Sequence, residues 1–376
     1  MREAKSLSDL LKIREANHSV IEKIKGTIGS ALGRKNEKGK PAILIFVPRK
    51  INEKWLPNDQ IVPKRLETPE GLYCPTDVID SSHTAFDRDR GSRLMTVDLY
   101  GNPGIIGSRE LFGYRQLNHE SKYNLLNKLR GDTERITPGS KLAFYDENWA
   151  EYSATLACFA KDDTGHLGFI TNQHVGISVG NTLYFPETTG IELGNVKSNI
   201  DRITDQERFP SILSHSKSTF TVDAGFVALG SYINIQNDID LRLPILDKNN
   251  NIQMQTLGPP LELHLDTMGP IGKEVIGVGQ MRSFQKGKIF AFAYQSSGQF
   301  AESFDYLIIG EKNEDFSDPG DSGKLIVTAD GNYQPLAILW GGWFERLRHG
   351  HRQENWTCAT DINLILNMLR LTIVRN

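Results

Sequence analysis

Only three cysteines, Cys74, Cys158 and Cys358, occur in 376 residues, widely spaced and odd in number. At least one thiol must stay unpaired, and a disulfide framework is excluded as the main source of stability. An excess of one charge is also missing: 43 Lys and Arg stand against 46 Asp and Glu, a net charge of −3. So balanced a chain gives no electrostatic reason to expect nucleic acid or an anionic membrane as partner. No apolar run approaches the roughly 20 residues of a membrane-spanning helix. The opening Met1-Arg2-Glu3-Ala4-Lys5 begins a charged segment with no signal-peptide core. A cytoplasmic location is the default expectation. Internal repeats and low-complexity tracts are absent from the sequence as well.

What is present fits a folded protein: 39% apolar residues and 34 glycines lie within the globular range, and the length predicts two domains. Residues 3 to 32 have helical composition, with Leu7, Leu10, Leu11, Val20, Ile21, Ile24 and Ile28 giving i, i+3, i+4 spacing. Residues 41 to 48 form a continuous apolar run, most simply a buried strand, and a second extended piece follows near 71 to 80. The expectation is a small α/β unit over 1–85; a barrel-flanking extension without a core of its own is the alternative. The stretch 86–136 is rich in Arg, Asp, Gly and Asn, with one plausible helix from Glu120 to Leu129. It reads as a linker or a segment flanking a cleft.

From residue 137 to 376 short apolar runs alternate with Gly, Asn, Asp and Pro, which is the pattern of an all-β barrel pair. Asp361 followed by apolar residues at 362, 365, 366 and 369 predicts a capped terminal helix packed on the barrel. The glycine-rich run from Met268 to Gly279 lacks a following helix and the spaced glycine fingerprint, so phosphate binding is rejected. His349, His351 and Cys358, with Arg346, Arg348 and Arg352 around them, read as a surface loop and not a metal site. No metal or other cofactor is implied.

The most informative run is Gly320-Asp321-Ser322-Gly323, the setting a serine nucleophile needs when its hydroxyl must face backbone N–H donors. Chance would place this tetrapeptide in roughly one chain in a hundred or two of this length, so its partners decide. A serine needs an imidazole to take its proton and a carboxylate to orient that imidazole. His174 follows an apolar strand end, Gly168-Phe169-Ile170-Thr171, and a short polar turn. Asp223 is the lone acid in the apolar run from Thr219 to Leu229; buried unpaired it would be costly, so it should have a partner. A histidine satisfied by backbone, and an Asp at a bulge beside Gly225, are the plainer alternatives. The order His174, Asp223, Ser322 is that of the chymotrypsin type, with intervals that let histidine and acid come from one barrel and serine from a second.

With Thr171-x-x-His174, Asp223 and Gly320 to Gly323 in place, the chain resembles the trypsin-like serine peptidases. It is similar more narrowly to those related to the plant narrow-leaf protein and its bacterial relatives, through Pro41 to Val47, Tyr73 to Ile79, Ile136 to Ser140 and Thr155 to Cys158. The resemblance implies a mainly β, chymotrypsin-like fold of two six-stranded antiparallel barrels, with a small α/β amino-terminal extension and a carboxy-terminal helix. It implies a serine endopeptidase acting on a protein or peptide substrate, with His174 as base, Asp223 orienting it, Ser322 attacking, and the N–H groups of Gly320 and Ser322 holding the oxyanion. In trypsin a carboxylate six positions before the nucleophile recognises basic side chains; Phe316 stands there in this chain, which implies an uncharged pocket with Trp340 and Gly341 along its wall. A catalytically silent binding scaffold or a serine esterase on the same fold are the other readings. Trypsin-type activation by a freed amine would require internal processing here. Control by the amino-terminal unit, by homo-oligomer assembly or by a regulatory protein partner are alternatives among which the residues do not choose.

Overall fold

The computed structural model describes all residues except 49, 81–93, 98–102, 107–134, 146–150, 176–177, 187–189, 214–217, 248, 250, 282–283, 298–301, 312–314, 319, 349–350 and 376. Ser6 opens helix α1 (Leu7–Ala16) by accepting the Asp9 N–H on its hydroxyl at 3.2 Å. Leu7, Leu10, Leu11 and Ile13 bury one face. The helical composition expected through residue 32 is interrupted: after a short turn of helix at His18–Glu22, the small residues of β1 (Gly29–Arg34) pair antiparallel with β2 (Pro41–Val47). The apolar spacing at 24 and 28 thus belongs to the chain entering a strand. β3 (Leu72–Asp80) lies parallel to β2, with Ile43 opposite Thr76. Of the segment 86–136, two short strands pair, Leu94–Val97 with Pro103–Ile106; the expected helix from Glu120 to Leu129 lies outside the described residues.

A first ring of strands closes on itself. β4 (Lys141–Tyr145) pairs with β5 (Glu151–Thr155), which runs through Leu156 and Ala157 into β6 (Cys158–Asp162). β6 pairs with β7 (Leu167–Thr171). β8 (Thr182–Phe185), β9 (Ile191–Thr204) and β10 (Thr219–Leu229) complete the circuit: β7 joins β10, β10 joins β9, β9 joins β8, and β8 returns to β4 through Tyr184 and Ala143. Counting β5 and β6 as one bent strand gives six. Leu142, Phe159, Phe169, Leu183, Leu193 and Val227 of these strands, with Leu156 at the bend between β5 and β6, form one buried apolar cluster.

A second ring follows: β11 (Glu274–Val278), β12 (Phe284–Ser296), β13 (Glu302–Gly310), β14 (Leu325–Thr328), β15 (Pro335–Arg348) and β16 (His351–Asp361). Its antiparallel circuit runs β11, β12, β13, β16, β15, β14 and back to β11. Two closed six-stranded antiparallel barrels are therefore present. The sheet also extends beyond the second barrel, because β1 pairs with β12 at Phe292, Gln295 and Ser296. Leu7, Leu10 and Ile13 of α1 share one apolar cluster with Phe292 and Tyr306, and buried Arg14 donates from Nη1 to the Ala293 carbonyl. Helix α2 (Ile362–Leu369) begins at Asp361, whose carboxylate accepts the N–H groups of Asn363 and Leu364 at 2.9 and 3.2 Å. Ile362 and Ile365 enter the same cluster. No helix among the described residues is long and apolar enough to cross a membrane.

Candidate active site

β7 ends at Thr171, whose buried hydroxyl donates to the Thr155 carbonyl at 2.9 Å. That anchor fixes the strand end from which the chain turns away toward His174. Asn172 spans to β10 by donating from Nδ2 to the Asp223 carbonyl at 2.8 Å. On β10 the register shifts between Ile200 and Arg202 on the partner strand, and Asp223 has φ of 51°. Aspartate tolerates this left-handed conformation better than most residues. A bulge of this kind re-aims a side chain out of the alternating pattern, so the plain reading of Asp223 as a bulge residue and the reading of it as a partner for histidine both hold.

The Asp223 carboxylate has no solvent exposure. Its Oδ1 accepts the His174 backbone N–H at 2.9 Å and its Oδ2 lies 2.6 Å from His174 Nδ1. With a carboxylate there, the imidazole proton resides on Nδ1, which leaves the Nε2 lone pair facing outward. Ser322 Oγ lies 2.9 Å from that Nε2. The structure therefore brings together the three residues that the sequence separates by 49 and 99 positions, and the arrangement can carry a proton from the Ser322 hydroxyl to His174.

Ser322 sits in the turn before β14, seated against the first barrel. Its carbonyl accepts the Thr155 N–H at 2.8 Å, and the Gly323 N–H donates to the Leu339 carbonyl at 2.9 Å. A Cβ at Gly323, where φ is 91°, would fall 2.1 Å from the Thr155 carbonyl oxygen; only glycine lets the two barrels meet this closely. The Gly320 carbonyl accepts from Thr155 Oγ1 at 3.2 Å and from Gln280 Nε2 at 3.0 Å. Neither the Gly320 nor the Ser322 backbone N–H has a hydrogen-bond acceptor among the described residues, which leaves both donors available to a bound group. Thr155 and Gln280 were invisible as site residues in the sequence, since they reach the Gly320 carbonyl from 165 and 40 positions away.

The residues expected around a pocket separate. Phe316 is wholly buried, with its ring against positions 277 and 287 of the second barrel, so it is a core side chain and does not line a cleft. Glycines on β11 and β12 admit the ring, a relation that spacing from the nucleophile does not reveal. Trp340 is also largely buried, edge-on to Phe304 at 5.3 Å. Gly341 has no atom within 4 Å of the place a Cβ would occupy, and it flanks open space two residues beyond Leu339. No three His, Cys, Asp or Glu side chains converge as a metal site among the described residues; His349 and Gly350 fall outside them.

A family model, the Nal1 C-terminal domain, matches residues 118–376. The chain belongs to the Nal1 family. Residues 2–79 of this Nal1-family chain match the NARROW LEAF 1 N-terminal domain, and His174, Asp223 and Ser322 all fall within the C-terminal match. The chain is similar to Protein NARROW LEAF 1 of Oryza sativa subsp. japonica, with 29% identity over 396 aligned positions that cover 99% of this chain and 61% of the rice protein. It thus spans 61% of the length of that relative. Among solved structures, the Nocardiopsis protease NAPase aligns with 64% of this chain and 98% of its own at 18% identity and a TM-score of 0.41. Thermobifida fusca Protease A aligns with 64% of this chain and all of its own at 17% identity and the same TM-score.

Proposed function

We propose that this Nal1-family chain is a serine endopeptidase. One observation carries the reading: the unbroken relay from the buried Asp223 carboxylate through His174 to the Ser322 hydroxyl, at 2.6 and 2.9 Å. Asp223 holds the imidazole tautomer and compensates the positive charge that forms on it. His174 Nε2 takes the Ser322 proton as Oγ bonds to the carbonyl carbon of a peptide, and the carbonyl π electrons move onto oxygen. The N–H groups of Gly320 and Ser322 are donors for that oxyanion, each typically worth about 3–4 kcal/mol in the transition state. His174 then returns the proton to the leaving amine, an acyl group stays on Ser322, and water repeats the sequence to release the acid. The open space beside Gly341 supports a substrate lying along β15.

A fluorophosphonate probe tests the reading on the full chain. Labelling of the wild type but not of Ser322→Ala is the expected result, followed by turnover of a peptide. No difference between the two proteins would refute the enzyme and favour a binding scaffold on this fold. Ester turnover without peptide turnover would reassign the reaction to an esterase.

A further inference from the structure

The turn that carries Ser322 contains a buried ion pair that the proton relay does not use. Lys324 Nζ lies 2.9 Å from Asp321 Oδ2 and 2.9 Å from the Phe316 carbonyl oxygen, and neither side chain has solvent exposure. A buried ammonium or carboxylate without its partner is strongly unfavourable. The pair must therefore form or the turn must rearrange. Asp321 also accepts the Met281 N–H on Oδ1 at 2.9 Å and the Asp318 N–H on Oδ2 at 3.1 Å. Lys324 thus ties together residues 316, 318, 321 and 281, the backbone on both sides of the Gly320 and Ser322 donors. The barrel is shaped to admit this lysine. A Cβ at Gly277 would lie 2.8 Å from Lys324 Cδ, and one at Gly279 would lie 2.5 Å from both Lys324 Cε and Asp321 Oδ1. The ammonium also lies 5.5 Å from the Phe316 ring centroid, within cation–π reach.

We propose that Lys324 is a positioning residue whose ammonium, through Asp321, sets the Gly320 and Ser322 N–H groups in place, so that the site assembles within the intact chain. The proposal rests on the peptidase reading above. Because the Asp321 carboxylate already has its counter-charge from three residues along the same turn, no freed amino terminus is needed to supply one. Lys324 touches no reacting atom; it acts through the turn.

The test measures fluorophosphonate labelling rate and ester turnover in the wild type, Lys324→Met and Gly279→Ala, with melting temperature as the check on folding and intact mass as the check on processing. Lys324→Met should lower the labelling rate and kcat by about 100-fold or more, the scale of losing an oxyanion donor, with KM little changed. A role confined to stability would leave kcat of the folded fraction untouched. Gly279→Ala keeps every charge but pushes on the pair, and should lower kcat in the same sense. A folded Lys324→Met protein that labels at the wild-type rate would overturn the proposal. So would a folded Gly279→Ala protein with wild-type kcat where Lys324→Met does not fold, or failure of both to fold, which would assign the pair to stability alone. Labelling of the wild type only in a shortened form would overturn it while sparing the peptidase reading; labelling equal to Ser322→Ala would remove both.

Discussion

Asp223→Asn isolates the relay better than any other single substitution. Asparagine matches aspartate in size and shares its tolerance for positive φ, so the backbone at φ of 51° is not the variable; Asp223→Ala would confound the two. The carboxylate accepts two N–H groups from His174, at 2.9 and 2.6 Å, whereas an amide can accept through one oxygen and must donate through its nitrogen. If the oxygen keeps the backbone N–H, the amide nitrogen faces Nδ1 and the imidazole carries its proton on Nε2, toward Ser322, where it cannot act as base. Turnover should fall by about 10⁴-fold, the size of this substitution's effect in a serine peptidase triad, or about 5.5 kcal/mol of transition-state stabilisation. The folded state loses one hydrogen bond to a charged group, about 1.5–3 kcal/mol. Ester turnover at saturating substrate, measured beside urea unfolding, separates these numbers. Turnover near wild type in a folded Asp223→Asn protein would remove Asp223 from the mechanism.

Arg208 donates from Nε to Asp305 at 3.0 Å, with Asp305 wholly buried, so Arg208→Met should cost about 3–5 kcal/mol in urea unfolding, and adding Asp305→Asn should recover much of it. Burial already raises the Asp305 carboxyl above the ordinary range and Arg208 opposes that rise. Without Arg208 the folded-state pKa climbs further above the unfolded value, so the stability of Arg208→Met should be retained below about pH 4 and lost as pH rises through the folded-state value; a deficit independent of pH would refute this account. Burial pushes the Cys74 and Cys158 thiols up to about 12 and Cys358 well above its usual value. An aromatic disulfide reagent at pH 8 should therefore find no fast-reacting thiol in the native protein and three after denaturation, and one rapid thiol in the native state would contradict the burial.

The site was legible where one local segment carried its own chemical tension. Asp223 stood alone among apolar residues, His174 followed a strand end, and Ser322 sat between glycines; each needed a partner, and the three supply one another. Lys324 was not legible, because a lysine after a turn ordinarily points to water. Its burial depends on Gly277 of β11 and on Gly279 just beyond that strand. Phe316 misled for the same reason: distance along the chain from Ser322 says nothing about the glycines at 277 and 287 that draw its ring inward. The barrels were legible from runs of alternating length, whereas the docking of β1 on β12 depends on pairing across most of the chain. Residues 29–32 share the helical composition of the segment before them, yet they form the start of β1, because small residues with little strand preference of their own are held by neighbouring strands on both sides.

The pairing of β1 with β12 also sets a clock on biosynthesis. Leu32 finds its partner at Phe292, roughly 260 residues later, and at about 5–20 residues per second the ribosome needs on the order of 13 to 50 s to deliver it. Throughout that interval the β1 edge that β12 will cover stays open, the form of chain most prone to wrong association. The hairpin of β1 and β2 is thus made long before the strand that shelters its outer edge, so a chain cut short ahead of β12 should be more prone to aggregate than the full chain.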